Sequence, residues 1–215
     1  MHSIKGIIFD MDGLLVDTEG FHVIAWKNLF KEKGIKVDDH IYLDYAGVAD
    51  NLFLDDLRNK GYILPCWDSR ALIAEKTQKL IRLAETQKVL LFPGAKETLE
   101  SASRRFKVAV ASNSERDFVV KVLENAGIAG FFRFVTSRND VSRPKPEPDV
   151  YLKTAKKMGL APCECVVFED SEVGVESARR AGMICIAITT TSGPEKLKKA
   201  DYIYENLSPC LIEEF

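Results

Sequence analysis

Short apolar runs alternate with helical stretches along most of the chain after residue 90. Apolar segments rich in β-branched residues are separated there by segments with helical spacing of apolar side chains. This alternation is typical of βαβ units around a parallel sheet. Several runs are apolar throughout, as expected for strands that helices cover on both faces. The predicted strands are residues 4–9, 107–111, 134–136, 165–168, 183–189 and, as a weaker edge, 202–204.

Glycines mark the ends of three predicted helices. Gly127, Gly159 and Gly182 each follow a stretch of helical periodicity, at the position where a helix commonly ends in a left-handed residue. The three helices are predicted over residues 115–126, 149–158 and 172–181.

Residues 18–89 have a different pattern, because helical periodicity continues there without an intervening strand. Phe21, Ala25 and Leu29 illustrate the spacing. We interpret this segment as an inserted small α-helical domain. The predicted organisation is therefore an α/β core with a parallel sheet flanked by helices over residues 1–17 and 90–215, and a helical insert over 18–89. The chain is predicted to return to the core at the Phe92-Pro93-Gly94 turn, followed by a helix over residues 95–103.

Composition and charge exclude several classes of protein. The 215 residues are 46% hydrophobic and 29% charged, which is ordinary for a globular protein, and the net charge of −2 provides no strong field for nucleic acid or an anionic membrane. The apolar runs are too short to span a membrane, and no secretory signal pattern precedes Asp10. We therefore expect a cytoplasmic protein with a small-molecule substrate and neither a nucleic-acid nor a membrane partner. No motif indicates the oligomeric state, and a monomer is the simplest expectation.

The five cysteines are expected to be free thiols. Their number is odd and they are scattered along the chain, which favours a reducing compartment over a disulfide framework. Cys163 and Cys165 form a C-x-C pair, but no second cysteine or histidine pair accompanies it, so a metal site there is not expected.

Polar side chains follow three of the predicted strands. Asp10 follows the first strand, Ser112 the second, and Glu169 and Asp170 the strand that begins at residue 165. Ligands of open parallel sheets bind outside the carboxyl ends of the strands, so these residues are predicted to converge on one crevice. In extended backbone Asp12 points the same way as Asp10, and Gly13 allows a close turn.

Such a convergence would crowd carboxylates together. Two unit charges about 4 Å apart repel by about 4 kcal/mol at an effective dielectric of 20, so the cluster needs a cation or altered protonation. Oxygen ligands without histidine or cysteine favour Mg²⁺. Lys145, in a proline-rich segment, adds a positive charge, and a lysine with magnesium is suited to binding phosphate. An aspartate can form an aspartyl phosphate, and a second, protonated carboxylate can protonate the leaving oxygen.

Four polar segments follow one another along the chain: Asp10-x-Asp12-Gly13, Ser112-Asn113, Lys145-Pro146-x-Pro148, and Glu169-Asp170 with Ser171 and Gly174. In this order they resemble the motifs of the haloacid dehalogenase-like (HAD) hydrolases, in the branch with a helical cap after the first motif. The resemblance covers essentially the whole chain and extends to the β-phosphoglucomutases and sugar phosphatases of that branch. It implies a Rossmann-like core with a helical cap.

The resemblance also implies the role of each matching residue. Asp10 would attack phosphorus, and Asp12 would act as general acid and then as general base for water. Mg²⁺ would be bound by Asp10, the backbone carbonyl of Asp12, and Asp170, with Glu169 in support. Ser112, the Asn113 region and Lys145 would hold the transferring phosphoryl oxygens.

The start of the predicted cap is similar to that of the β-phosphoglucomutases, so a mutase is the alternative to a phosphatase. The similarity rests on His22 followed by Ala25-Trp26, which makes His22 a candidate substrate-binding residue. In those mutases an arginine follows the G-V-S segment, whereas Asp50 follows Gly47-Val48-Ala49 here. Glu115 stands where they carry a lysine. Anions at both positions oppose a second phosphate, although Arg116 and Lys76 could compensate.

Other interpretations of the same residues stay open. Ser112 could cap the helix that follows, and His22 could simply be a packed or exposed histidine. The scaffold could also serve as a non-catalytic phosphate-binding module. The sequence favours a Mg²⁺-dependent phosphatase of small phosphorylated metabolites, with sugar phosphates as the expected class.

Overall fold

The structure, a computed structural model, describes residues 3–44 and 50–215. The chain divides into a larger unit, Met1–Asp17 with Val89–Phe215, and a smaller unit, Thr18–Lys88. The strands of the described ranges are β1 (Gly6–Phe9), β2 (Val16–Asp17), β3 (Leu90–Leu91), β4 (Lys107–Ala111), β5 (Phe134–Thr136), β6 (Cys165–Glu169), β7 (Ile184–Ile188) and β8 (Tyr202–Tyr204).

Helices make up most of the remaining described structure. The longer ones are amphipathic or mostly apolar, and short 3₁₀ turns lie between some of the elements. The helices are α1 (Glu19–Glu32), α2 (Asp39–Asp44), α3 (Asp50–Asn59), α4 (Ser69–Thr86), α5 (Ala95–Arg105), α6 (Arg116–Asn125), α7 (Asp149–Met158), α8 (Glu172–Arg180), α9 (Pro194–Leu197) and α10 (Cys210–Glu213).

The larger unit is built on a six-stranded sheet of order β5-β4-β1-β6-β7-β8, in which every neighbouring pair is parallel. The central strand β1 pairs with β4 and β6 in register, so that Phe9 lies opposite Val110 on one side and Phe168 on the other. Every residue of β1 and β6 is buried, as expected for strands covered by helices. The predicted parallel α/β fold is confirmed, and it sets the carboxyl ends of β1, β4 and β6 side by side.

Glycines in the left-handed conformation follow three of the helices, as the sequence predicts. Gly159 ends α7 in the left-handed region with φ of 68°. Gly127 and Gly182 have the same conformation two residues beyond the ends of α6 and α8. The interpretation of Ser112 as the cap of the next helix is wrong, because the residue that precedes α6 is Glu115. Ser112 Oγ instead accepts a hydrogen bond from Ser114 N. The serine hydroxyl is thus engaged in the turn after β4.

A two-stranded antiparallel ribbon, which the sequence pattern did not predict, lies where the insert begins and ends. Val16 of β2 pairs with Leu91 of β3, and Asp17 pairs with Leu90. Strands of two residues are too short to show an alternating pattern, which explains why only the Phe92-Pro93-Gly94 turn was recognised. The predicted helix after that turn is confirmed and extends to Arg105.

The smaller unit contains α1–α4. Its core is aromatic and includes Trp26, Phe30, Tyr42 and Phe53, whose rings lie 5.0 to 6.4 Å apart. Asp68 caps α4 by accepting a hydrogen bond from Arg70 N at 2.9 Å. Gly47-Val48-Ala49, on which part of the comparison with mutases rests, lie outside the described residues.

Across the ranges that the structure describes, none of the helices has both the length and the apolar composition that a bilayer crossing requires.

Candidate active site

The carboxyl ends of β1, β4 and β6 bring the predicted residues of the larger unit together. Asp10 follows β1 directly and its backbone N donates to Phe168 O at 3.0 Å. Ser112 follows β4, and Glu169 is the last residue of β6. Because β1 lies between β4 and β6, the three strand ends form one edge.

Lys145 lies at the centre of this edge and is 5% exposed. Its ammonium donates to Asp10 Oδ1, to Glu169 Oε1 at 2.6 Å and to the carbonyl oxygen of Ala111 at 3.1 Å. One buried cation therefore joins the ends of all three strands.

Asn113 holds the backbone of Lys145. Its side-chain oxygen accepts from Lys145 N at 3.0 Å, and its side-chain nitrogen donates to Lys145 O at 3.5 Å. The sequence predicted a contact between residue 113 and substrate. In the described structure the side chain of Asn113 supports the loop that carries the lysine. The contact with substrate stays a prediction.

Glu169 is buried and accepts five hydrogen bonds. Oε1 accepts from Lys145 Nζ and from the Tyr151 hydroxyl, each at 2.6 Å. Oε2 accepts from Asp170 N at 3.0 Å, from Ser171 N at 3.2 Å and from Ser171 Oγ at 3.0 Å. The carboxylate packs against α8 at Gly174, where a Cβ atom would overlap it. Glu169 is thus fixed on both oxygens.

Asp170 differs from Glu169 because one of its oxygens has no donor among the residues that the structure describes. Oδ2 accepts from Thr191 Oγ1, whereas Oδ1 is buried and lacks a hydrogen-bond partner among the described residues. A buried carboxylate oxygen without a donor is costly, and a bound cation would satisfy it.

Asp12 faces the turn that follows β4. Its Oδ2 accepts from Ser112 Oγ at 3.0 Å and from Ser114 Oγ at 2.9 Å. The adjacent Gly13 has φ of +82°, and a Cβ there would overlap the Asp170 carboxylate. Glycine at this position lets the loop after β1 approach the loop after β6.

The electrostatics of the edge are dominated by burial and by crowding of like charges. Burial raises the pKa of Asp10 well above its usual value; Lys145 opposes the rise, and Glu169 and Asp12 add to it. Burial likewise raises the pKa of Asp170, with further contributions from Glu169 and Asp10. Burial also tends to raise the pKa of Glu169, but the charge of Lys145 and the hydrogen bonds to the carboxylate outweigh burial, and the pKa is lowered. The protein alone therefore favours ionised Glu169 and disfavours ionised Asp10 and Asp170.

This arrangement fits a divalent cation. Ligand atoms of Asp10, Glu169 and Asp170 lie within 4.8 Å of one another. A single lysine contacts this group in the described structure, so three ionised carboxylates would leave an excess of negative charge. An all-oxygen donor set with an unsatisfied Asp170 Oδ1 suits a hard ion such as Mg²⁺.

His22, the remaining predicted site residue, lies on α1 of the smaller unit. Its Nδ1 is 2.8 Å from Lys76 Nζ, and Lys76 also donates to both oxygens of Asp50 at 2.9 Å. Trp26 Nε1 donates to the same aspartate at 3.1 Å. The structure thus places His22 in a polar cluster of the smaller unit, and its contact with substrate stays a prediction.

Three residues of the edge were not among the predicted site residues. Thr191 lies shortly after β7, so the rule that polar residues at strand ends line the site would have found it. Ser114 lies two residues after Ser112, beyond the matched Ser112-Asn113 motif. Tyr151 had no sequence signal, because an aromatic residue on a helix is usually part of the core.

Comparisons with known proteins agree with the geometry. The family model described as "Haloacid dehalogenase-like hydrolase" matches residues 7–188. Fructose-1-phosphate phosphatase YqaB of Escherichia coli (strain K12) is 31% identical, covering 85% of this chain and 95% of that protein. Beta-phosphoglucomutase of Bacillus subtilis (strain 168) is 25% identical, covering 98% and 93%.

Among solved structures, CbbY from Rhodobacter sphaeroides in complex with phosphate superimposes with a TM-score of 0.84. It is 25% identical in sequence, and the match covers 94% of each chain. The similarity therefore extends over the α/β core and the helical segment inserted into it.

Proposed function

The chain belongs to the haloacid dehalogenase-like hydrolases and is a phosphoryl-transfer enzyme, and we propose that it is a Mg²⁺-dependent phosphatase of small phosphate esters. One observation carries the proposal: Lys145 joins Asp10 and Glu169 at the ends of adjacent strands, with Asp12 and Asp170 beside them. Nucleophile, general acid, phosphate-binding cation and metal ligands are then available at one place.

The proposed reaction has two displacements at phosphorus. A carboxylate oxygen of Asp10 forms a bond to phosphorus, the bond to the ester oxygen breaks, and Asp12 gives its proton to that oxygen. Asp12, now ionised, takes a proton from water as the water attacks the aspartyl phosphate. Inorganic phosphate leaves, and Asp10 and protonated Asp12 are restored.

The contacts of Asp12 support its assignment to proton transfer. Ser112 and Ser114 donate to one oxygen of its carboxylate, whereas Asp10 accepts from the Lys145 ammonium. Asp10 and Asp12, two residues apart, are thus given different partners. Different surroundings are what allow two neighbouring carboxylates to act as nucleophile and as proton donor.

Asp10 and Asp170 would hold the metal, together with the backbone carbonyl of Asp12. Glu169 would support them, since both of its oxygens are already engaged by donors. When bound, Mg²⁺ neutralises the clustered carboxylates and stabilises negative charge on the phosphoryl oxygens. Lys145, the Ser112 hydroxyl and the backbone near Asn113 are the proposed phosphoryl contacts.

A phosphatase is favoured over a mutase by the pairing of two cations. Lys76 and Arg116 were the residues that could compensate for Asp50 and Glu115. Lys76 is 1% exposed and donates to both oxygens of Asp50. Arg116 donates to Asp140. Each cation thus already has a carboxylate partner, although Asp140 also pairs with Lys157. Binding of a second phosphate, which a mutase requires, would compete with these ion pairs.

Sugar phosphates are the proposed substrate class, in line with the fructose-1-phosphate phosphatase among the relatives. We propose that residues 18–88 select the leaving group, with His22 as a predicted contact. The larger unit is proposed to carry out the phosphoryl transfer.

The test is a product assay with Mg²⁺. Fructose 1-phosphate and other monophosphates are each supplied alone, and β-glucose 1-phosphate is supplied with its 1,6-bisphosphate. We expect free phosphate from the monophosphates and loss of turnover in excess chelator. Faster formation of glucose 6-phosphate than of free phosphate would assign the chain to the mutases. Full activity in chelator would remove the metal from the proposal.

A further inference from the structure

Tyr151 is a buried polar residue of the edge that the proposed reaction does not use. It lies in the first turn of α7, is 0% exposed, and donates its hydroxyl hydrogen to Glu169 Oε1 at 2.6 Å. The face of its ring lies 4.8 Å from Lys145 Nζ, within the range of a cation–π contact. One side chain therefore touches both partners of the Lys145–Glu169 ion pair.

The two contacts affect Lys145 in complementary ways. The tyrosine hydroxyl and the lysine ammonium donate to the same oxygen of Glu169. The hydroxyl therefore satisfies part of the negative charge on that oxygen, which would otherwise attract the ammonium more strongly. The ring supports the ammonium from another side without offering it an oxygen acceptor. Lys145 can then divide its three donors between Glu169, the Ala111 carbonyl and Asp10, and the donor to Asp10 is the one that a phosphoryl oxygen would take over.

Glu169 itself is in a fixed position, because Asp170 N and the Ser171 N and Oγ donate to its other oxygen. Loss of the tyrosine hydroxyl would leave Oε1 with Lys145 alone. The ammonium would be drawn toward Glu169 and away from Asp10, where the transferring group is proposed to bind.

From these contacts we infer that Tyr151 is a positioning residue, which holds the Lys145 ammonium where it can bind the phosphoryl group. The inference rests on the proposed function, since it concerns the same site.

Tyr151→Phe is the direct test, because it removes the hydroxyl and keeps the ring. We expect Kd for inorganic phosphate, measured by calorimetry with Mg²⁺ present, to rise about tenfold, and kcat/KM for p-nitrophenyl phosphate to fall by a similar factor, as for loss of one hydrogen bond to a charged group. Tyr204→Phe is the matched control, since it removes a hydroxyl that donates to Glu214 at 3.3 Å elsewhere in the larger unit, and it should leave both quantities unchanged.

Replacement of Tyr151 by 4-aminophenylalanine retains the ring and a donor, and should restore phosphate affinity to within a few-fold of the parent protein. This variant also tests the inference if Tyr151→Phe does not fold. Unchanged phosphate affinity and unchanged kcat/KM in Tyr151→Phe, with only a lower melting temperature, would overturn the inference. A parent protein without phosphate release would instead count against the proposed function.

Discussion

Two aspartates only two residues apart are given different surroundings by the fold. Asp10 is buried against Lys145, whereas Asp12 is turned toward the hydroxyls of Ser112 and Ser114. The difference arises because Asp10 still follows the line of β1, while Asp12 belongs to the turn that Gly13 closes. Similar side chains can therefore take the separate roles of nucleophile and proton donor.

Substitution of these residues separates the two roles. Asp10→Asn removes the oxygen anion proposed to attack phosphorus and should reduce Mg²⁺-dependent phosphate release below detection, because an amide is a poor nucleophile. Asp12→Asn removes the proposed proton donor and should lower kcat by a factor of about 10² to 10⁴. Steady-state phosphate release measures both.

Asp117→Asn, at an exposed position on α6, is the control and should keep parent activity. Turnover by Asp10→Asn at the parent rate would exclude Asp10 as the nucleophile. Phosphate binding without any turnover in the parent protein would favour the non-catalytic binding module.

At the scale of elements, α8 packs so closely on the end of β6 that its third residue has no room for a side chain. Gly174 faces the Glu169 carboxylate, which five donors hold in place. The N-terminus of α8 is fixed to the same loop, since Ser171 Oγ accepts from Gly174 N at 3.1 Å. Helix and strand thus share the residues that position the site.

Gly174→Ala should destabilise the larger unit. Alanine gains about 1 kcal/mol in helix propensity over glycine, but overpacking typically costs 1–3 kcal/mol and Glu169 cannot move without losing donors. We expect a net loss of about 1 kcal/mol in the free energy of unfolding by urea, together with reduced activity. Gly130→Ala, where a Cβ meets nothing within 4 Å, should stay within about 0.5 kcal/mol of the parent. Equal stability of the two variants would contradict the packing argument.

The elements and the strand ends could be predicted because their signals are local. Each strand that ends at the site changes from apolar to polar within one residue, as Phe9 to Asp10 illustrates. The contacts of Tyr151 and of Asn113 could not be predicted, because both join residues of different loops and helices. The β2–β3 ribbon could not be predicted because its strands are only two residues long, and its pairing joins residues more than seventy positions apart.

At the scale of the whole molecule, the larger unit assembles its buried carboxylates from segments more than 150 residues apart along the chain, as Asp10 and Glu169 illustrate. Only the folded state brings these carboxylates close together. A cation that binds the cluster therefore stabilises the folded state over the unfolded one.

Mg²⁺ should accordingly raise the thermal transition of the larger unit. A ligand at 100 times its Kd adds about 2.7 kcal/mol, which corresponds to a shift of roughly 5 to 10 °C for a chain of this size. Calorimetry with and without Mg²⁺ measures the shift. Asp170→Asn, which alters the carboxylate with the unpartnered oxygen, should remove most of it. A shift of the same size in that variant would place the ion elsewhere.

The ribbon of β2 and β3 pairs Asp17 with Leu90. The chain therefore leaves the larger unit at the end of β2 and returns to it at the start of β3, and these two points lie in adjacent strands. Neighbouring strands are only about 5 Å apart, a gap that a tight turn can bridge. Residues 18–88 are thus inserted at what is geometrically a hairpin tip. A segment attached in this way can be exchanged for another of different length or composition without altering a single strand of the sheet, and under the proposed division of roles such an exchange would change the substrate.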